Sequence, residues 1–526
     1  MSRTWRKSAL LAVAAAALAG AVTAGSSQAP AGSRLIAIFV VDGLRPDSIN
    51  TADTPTIARL RTEGTEYVNS HSVFPTVTRV NTTVLATGAY PSQNGIVGNS
   101  MFVEGVNARA PFDNGDHTQL LKLEEISGRV VTTETLGEML QRNGRRLVTV
   151  SSGSNGNGFL LNPNARHGAG VAIHGLFDRG AIAAYPKDIS DAILQRFGAP
   201  APGADEVGLM TWTDTVLRDY VLPELRPDVV IDWMGPLDAA QHANGAGAPQ
   251  SKEALAKIDG SIAQTIAKID ALGLMDRADI VITSDHGFAH HTTGVNVIDA
   301  LIAGGLKKDR ESTDVIVASQ SESLLFYLPA HEPERIEKVV QFLQQQPWID
   351  VLFTRGGRDG QGSAPGTFSL DLIDASHPSR GADIVASLTW TSQPNPYGVP
   401  GTHTIDSATT GPLQGAASGH GGLNPWVVHN TFVAWGADFK TRTRVEAPVS
   451  LADVTPTLLS MFRIDAGAGG GGRGRILREL MKDGPPAASV KTIKRVVTTS
   501  AGSYRASVKI SSVEGRDYID SGSREP

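Results

Sequence analysis

Residues 34–41 read RLIAIFVV and stop at Asp42-Gly43. A nearly unbroken apolar run closed by an acid and a glycine is how a strand buried on both faces reads, as in a parallel sheet. The rest of the chain supplies the alternation that such a sheet needs. TPTIARLRTEG follows as a short amphipathic helix ending at Gly64. TTETLGEMLQRNG (132–144) is a helix with a glycine stop, and RRLVTVSS is a strand. PDVVIDWM (227–234) is another strand, KEALAKIDGSIAQTIAKIDALG (252–273) a long helix, and ADIVITSDHG (278–287) a strand. Near the end NTFVAWG is strand-like and LADVTPTLLSMF helical. Strands alternating with helices predict an α/β fold: a doubly wound, mostly parallel sheet with helices on both faces.

A second unit interrupts this series. SESLLFYLP, PERIEKVVQFLQQQ and WIDVLFTR, within 321–355, read as strand, helix, strand. The expected organisation is a core over 34–300 and 412–480, a small inserted α+β cap over 301–411, and a polar tail over 484–526 with β-like alternation. The run GAGGGGRGR (467–475) reads as a flexible surface loop, and so does SSGSNGNG after the strand RRLVTVSS.

The N-terminus predicts the compartment. Arg3, Arg6 and Lys7 precede the 14-residue apolar run ALLAVAAAALAGAV, followed by small residues with Val22-Thr23-Ala24 as a cleavage site. This is the pattern of a cleaved signal peptide over 1–24, and the run is too short to span a bilayer comfortably. The expected location is secreted or, in a bacterium, periplasmic, with no stable membrane anchor. With no cysteine, disulfides, thiolate metal sites and cysteine nucleophiles drop out. A net charge of -6 argues against a nucleic-acid scaffold.

Ligands in open α/β sheets gather at the carboxyl ends of strands. Asp42 ends the first strand, Asp285 and His286 another, and Asp238 and His242 follow a third as LDAAQH. His420, in GAASGHGG, precedes NTFVAWG. Three Asp and three His converging at one sheet edge would repel and dehydrate one another without cations. This donor set without thiolates suits zinc, with manganese or iron as alternatives, and six ligands fit two metals rather than one. Two metals also give a purpose to the threonine-rich stretch FPTVTRVNTTVLATGAYPSQNGIVGN (74–99), because coordination turns a poor hydroxyl nucleophile into an alkoxide.

The set VVDG, FPTVT…TG-YP…NG, D-x3-H, SDHG and GHGG, with the closing VSLADVTPTLLSMFRI, resembles the alkaline phosphatase superfamily over about 34–480. It is most similar to the nucleotide pyrophosphatase/phosphodiesterase branch. That resemblance implies Thr78 as nucleophile and Asn99, 21 residues on, as donor to a phosphoryl oxygen. It implies one zinc held by Asp42, Thr78, Asp285 and His286, and another held by Asp238, His242 and His420. The small-molecule partner it implies is a phosphate ester or nucleotide. The chain departs from the Phe-Pro-Asn-His that usually follows the nucleophile in animal members, having Arg79-Val80-Asn81-Thr82 instead.

The surroundings sort the chemistries. No S-x-P-x-R or cysteine equivalent supports a sulfatase. The stretch LVTVSSGSNGNGFLLN (147–162) has no Lys or Arg to hold the extra charge of a monoester, which favours a diester. A phosphomonoesterase or a phosphonate hydrolase of phosphonoacetate type is the alternative enzyme, and a non-catalytic metal-binding protein the alternative class. Phe102 and Phe159 are candidates to stack on a base or to join the core. His290, His291, His71, His117, His167, His174, His331, His377, His403 and His429 read as ordinary solvated or hydrogen-bonded histidines.

Overall fold

The strand Leu35–Val41 is the middle member of a nine-stranded sheet in the computed structural model, which describes residues 34–407, 417–465 and 474–525. The expected signal segment and most of GAGGGGRGR lie outside the described residues. Leu35, Ala37, Phe39 and Val41 pack into an apolar cluster on one face of the sheet. Ile36, Ile38 and Val40 pack into another on the opposite face. Alternating side chains of one strand therefore fill two cores, which is why the run has no polar residue.

Leu35–Val41 pairs in parallel with Ala278–Thr283 on one side and Val229–Met234 on the other. Leu147–Ser151 and then Val171–Phe177 extend the parallel region. Ile182–Tyr185 closes that flank antiparallel, and Phe432–Gly436 runs antiparallel beside Ala278–Thr283. The short strands Thr65–Tyr67 and Thr443–Val445 complete the other edge. The mostly parallel α/β sheet expected from the sequence is the one observed. Its three central strands end side by side, about 5 Å apart.

A five-stranded sheet contains Ile316–Ser319, Ser323–Tyr327, Ile384–Leu388, Ile349–Thr354 and Phe368–Ser369. Its residues share one apolar cluster with Phe74 and Phe159 from the first part of the chain. Ile493–Ala501, Tyr504–Val513 and Arg516–Arg524 form a three-stranded antiparallel sheet. Its last strand is tied inward: the Tyr518 hydroxyl lies 3.0 Å from Asp453 Oδ2, and Gly522 N donates to Leu423 O.

One local reading is corrected. SSGSNGNG is not a loop throughout, because Ser154 caps a helix over Asn155–Leu161 by accepting from Asn157 N. Its glycines permit close packing: a Cβ on Gly156 would lie 2.1 Å from Asn114 O, and one on Gly158 2.7 Å from the His174 ring. Phe159, in this helix, is buried beside Phe177 and Tyr185 and is a core residue rather than a base-stacking one.

Ile38 is fully buried at the centre of the main sheet. Ile38→Ala is expected to lower the unfolding free energy in urea by about 2–5 kcal/mol. A change within about 0.5 kcal/mol, the range of surface substitutions, would contradict the central placement.

Candidate functional site

The parallel register brings the sequence candidates together. Asp42 follows directly on Val41, and Asp285 and His286 follow Thr283 on the neighbouring strand. On the other neighbour, Met234 leads through Gly235 into the helix Pro236–Asn244, which carries Asp238 and His242 one turn apart on one face. The short strand Ser418–Gly419 pairs with Ala289–Val295, so His420 arrives beside the SDHG turn. Thr78 is the first residue of the helix Thr78–Thr87, whose start has no side-chain cap.

The six acids and histidines form one contiguous cluster, which Thr78 meets at His286. The hydroxyl Oγ1 of Thr78 lies 3.3 Å from His286 Nε2. His286 Nε2 is 3.4 Å from Asp42 Oδ1 and 3.0 Å from Asp285 Oδ2. Asp238 Oδ1 is 3.4 Å from His242 Nε2 and 3.6 Å from His420 Nε2. The His286 and His420 rings stack with centroids 3.4 Å apart, which joins the two halves. His242 has a 39% exposed side chain against 6% for His420 and 0% for His286, so the cluster opens toward solvent on the His242 side.

The outward ends of these groups are already engaged. His286 Nδ1 lies 3.1 Å from Gly287 O, His242 Nδ1 3.0 Å from Ser418 O, and His420 Nδ1 3.0 Å from Thr76 O. A carbonyl only accepts, so each Nδ1 carries the proton and each Nε2 presents a lone pair inward. Trp233 Nε1 donates to Asp42 Oδ2 at 2.9 Å, and Gly43 N donates to Asp285 Oδ1 at 3.1 Å. The remaining oxygens, Asp42 Oδ1 and Asp285 Oδ2, are buried and accept no hydrogen bond, and neither does Asp238 Oδ1. Lone pairs thus face lone pairs at contact distance. Such an arrangement fits cations between them, and the donor set of carboxylate oxygen and imidazole nitrogen suits divalent metals of zinc type.

Two groups in this cluster have ligand atoms within 4.8 Å of one another: Asp42, Asp285 and His286, and Asp238, His286 and His420. His286 reaches both, while His242 joins the second through Asp238. The electrostatics state the same problem. Burial, then the Asp285 and Asp238 carboxylates, drives the Asp42 carboxyl well above its usual range. Burial, then the neighbouring His286 and His242, pushes His420 well below the imidazole range. Asp238 goes the other way: burial opposes its charge, but His242, His420 and His286 outweigh it and hold the carboxyl low. Close-packed like charges need positive charge among them.

Asn99, expected from the sequence, is held here by neighbours that carried no sequence signal. Asn99 Oδ1 accepts from Arg79 N at 2.9 Å, which leaves its amide NH2 as the available end one residue from Thr78. Asn99 is itself held by Gln320, whose Oε1 accepts from Asn99 N at 2.6 Å. Arg79 Nη2 donates to Ser154 Oγ at 3.0 Å. Burial, then Asp238, pushes the Glu206 carboxyl up to about 8. His291 and His403, read as ordinary histidines, are buried with rings 4.8 Å apart, and His403 Nδ1 is 2.5 Å from the buried Glu322. Only the spatial neighbours reveal these contacts, since each joins segments remote in sequence.

The family described as type I phosphodiesterase / nucleotide pyrophosphatase matches residues 36–347. Venom phosphodiesterase 2 of Crotalus adamanteus is 38% identical over 90 residues, 16% of this chain and 11% of the relative. Ectonucleotide pyrophosphatase/phosphodiesterase family member 1 of Homo sapiens is 23% identical over 253 residues, 48% of this chain and 23% of the relative. Bis(5'-adenosyl)-triphosphatase enpp4 of Mus musculus is 25% identical over 271 residues, 50% of this chain and 49% of the relative. The chain therefore matches between 11% and 49% of the length of these three curated relatives. Among solved structures, murine ectonucleotide pyrophosphatase / phosphodiesterase 5 superimposes with a TM-score of 0.58 at 15% identity, covering 85% of this chain and 100% of that one. At that identity the match establishes the fold.

Trp233→Phe removes the donor to Asp42 while keeping most of the ring volume. Zinc affinity, measured by competition with a chromophoric chelator, is expected to fall about 10–100-fold with the circular dichroism spectrum retained. Unchanged affinity would show that Trp233 does not orient a metal ligand.

Proposed function

This chain belongs to the type I phosphodiesterase / nucleotide pyrophosphatase family, and from that premise we propose that it is a two-metal hydrolase of phosphoric diesters or pyrophosphates that works through a covalent phospho-threonine on Thr78. The observation that carries the proposal is the cluster of inward lone pairs that meets the Thr78 hydroxyl at His286, with five of its six members fixed at their outer atoms. Asp42, Thr78, Asp285 and His286 would hold one zinc, and Asp238, His242 and His420 the other. Bound there, two divalent cations supply Lewis acidity that lowers the pKa of the threonine hydroxyl and withdraws charge from phosphoryl oxygens.

The protein's own groups do the rest. Thr78 Oγ1 forms a bond to phosphorus as the bond to the leaving oxygen breaks, its proton passing to solvent and the leaving oxygen taking one up. Water then attacks the phosphorus of the phospho-threonine, the P–Oγ1 bond breaks, and the hydroxyl is restored. Thr78 heads an uncapped ten-residue helix, whose positive end favours the negative charge that develops there. The Asn99 amide donates to a non-bridging oxygen, with Gln320 and Arg79 N fixing its orientation.

The diester preference is supported by residues 147–162, which contribute no cation. The bis(5'-adenosyl)-triphosphatase activity in the name of the enpp4 relative supports a nucleotide anhydride as one substrate class. A monoesterase is the second reading, favoured by Arg79, a cation that follows the nucleophile and reaches Ser154. Export with removal of residues 1–24, and a capping role for 301–411, complete the proposal. Among the described residues no helix is long and apolar enough to cross a membrane.

Thr78→Ala should lower turnover of bis-p-nitrophenyl phosphate by at least about 10³-fold with the fold intact. Asn99→Ala should lower kcat by about 10²–10³-fold. Full activity in Thr78→Ala would eliminate the nucleophile. On one zinc-replete preparation, kcat/KM for bis-p-nitrophenyl phosphate should exceed that for p-nitrophenyl phosphate. The reverse order would select the monoesterase reading.

A further inference from the structure

A second histidine–carboxylate cluster shares no residue with the candidate active site. The short strand Ser70–His71 pairs antiparallel with His429–Asn430, and the register sets His71 directly opposite His429. Their rings lie side by side with centroids 4.7 Å apart. Asp520, from the last strand Arg516–Arg524, closes the group, and one ligand atom from each of the three residues lies within 4.8 Å of the others.

The outward contacts repeat the pattern of the active-site imidazoles. His71 Nδ1 lies 3.3 Å from Val449 O, and His429 Nδ1 lies 3.3 Å from Ser70 O. His429 therefore carries its proton on Nδ1 and keeps an Nε2 lone pair, while His71 is engaged at both ring nitrogens. His71 Nε2 is 2.9 Å from Asp520 Oδ1, a hydrogen-bonded contact between two ligand atoms that a cation between them would replace. Asp520 is oriented by the Ser511 hydroxyl, which donates to its two oxygens at 3.1 and 2.8 Å. The His71 side chain is 1% exposed and that of Asp520 21%, so the site is buried on one side and reachable on the other. Two imidazoles and one carboxylate make a donor set for zinc.

We propose that His71, His429 and Asp520 form a further divalent-cation site of zinc type, which fastens the C-terminal strand to two strands of the core. Its ligands come from three segments remote in sequence, so the bound cation joins them only in the folded chain and adds its binding free energy to folding.

The test is zinc bound per chain, measured by inductively coupled plasma mass spectrometry on the full-length protein after equilibration with zinc and gel filtration. Asp520→Asn and His429→Gln should each bind one zinc fewer than wild type while bis-p-nitrophenyl phosphate turnover stays within about twofold. The readout is a difference between proteins, so it stands whatever number of cations the active site holds. His429→Gln alters a half-buried side chain and supplies the count independently of Asp520→Asn. Zinc should also slow hydrogen–deuterium exchange of residues 516–524 in wild type and not in the variants. Equal zinc content in all three proteins, or equal exchange with and without zinc, would reduce the cluster to a His71–Asp520 ion pair and overturn the site.

Discussion

Three parallel strands ending side by side set the terms for everything else in this molecule. Val41, Met234 and Thr283 finish on one edge of the sheet, and the chain places acids and imidazoles just beyond each of them. The buried, unbonded oxygens of Asp42, Asp238 and Asp285 are costly without compensating positive charge. A fold that maintains such a cluster at its centre must recover that cost elsewhere. The two apolar clusters filled by alternate residues of Leu35–Val41 supply stability on both faces of the sheet beside it.

The cluster is oriented from outside. Backbone carbonyls of Thr76, Gly287 and Ser418 fix three imidazoles, while the Trp233 ring and Gly43 N fix two carboxylates. A ligand whose outer atom is committed can present only its inner atom, which pre-organises the site before any ion or substrate enters. The same device recurs at His71 and His429, where Val449 and Ser70 carbonyls take the outer nitrogen. In both places backbone carbonyls orient the imidazoles and survive substitution of the residues that supply them, whereas the Trp233 and Ser511 side chains orient carboxylates.

The sheet and the six acids and histidines were legible in the sequence because each has a local signature. RLIAIFVV is apolar at every position after its first because both faces of its strand are covered, and SDHG or D-x3-H places its donors at fixed distances from a strand end. Contacts between remote segments had no such mark. Gln320 beside Asn99, Arg79 beside Ser154, and Asp520 beside His71 are separated by dozens to hundreds of residues. SSGSNGNG was misread because glycine and asparagine disfavour helices intrinsically, whereas here a Ser154 cap and tight packing against Asn114 outweigh that preference.

The proposed pair of cations around Thr78 is the centre of the account, and zinc-edge anomalous diffraction from crystals of the metal-loaded protein tests it most directly. The account predicts two peaks a few ångströms apart, one among Asp42, Thr78, Asp285 and His286 and the other among Asp238, His242 and His420. No peak within bonding distance of Thr78 Oγ1, or these side chains paired by hydrogen bonds alone in metal-replete crystals, would contradict it.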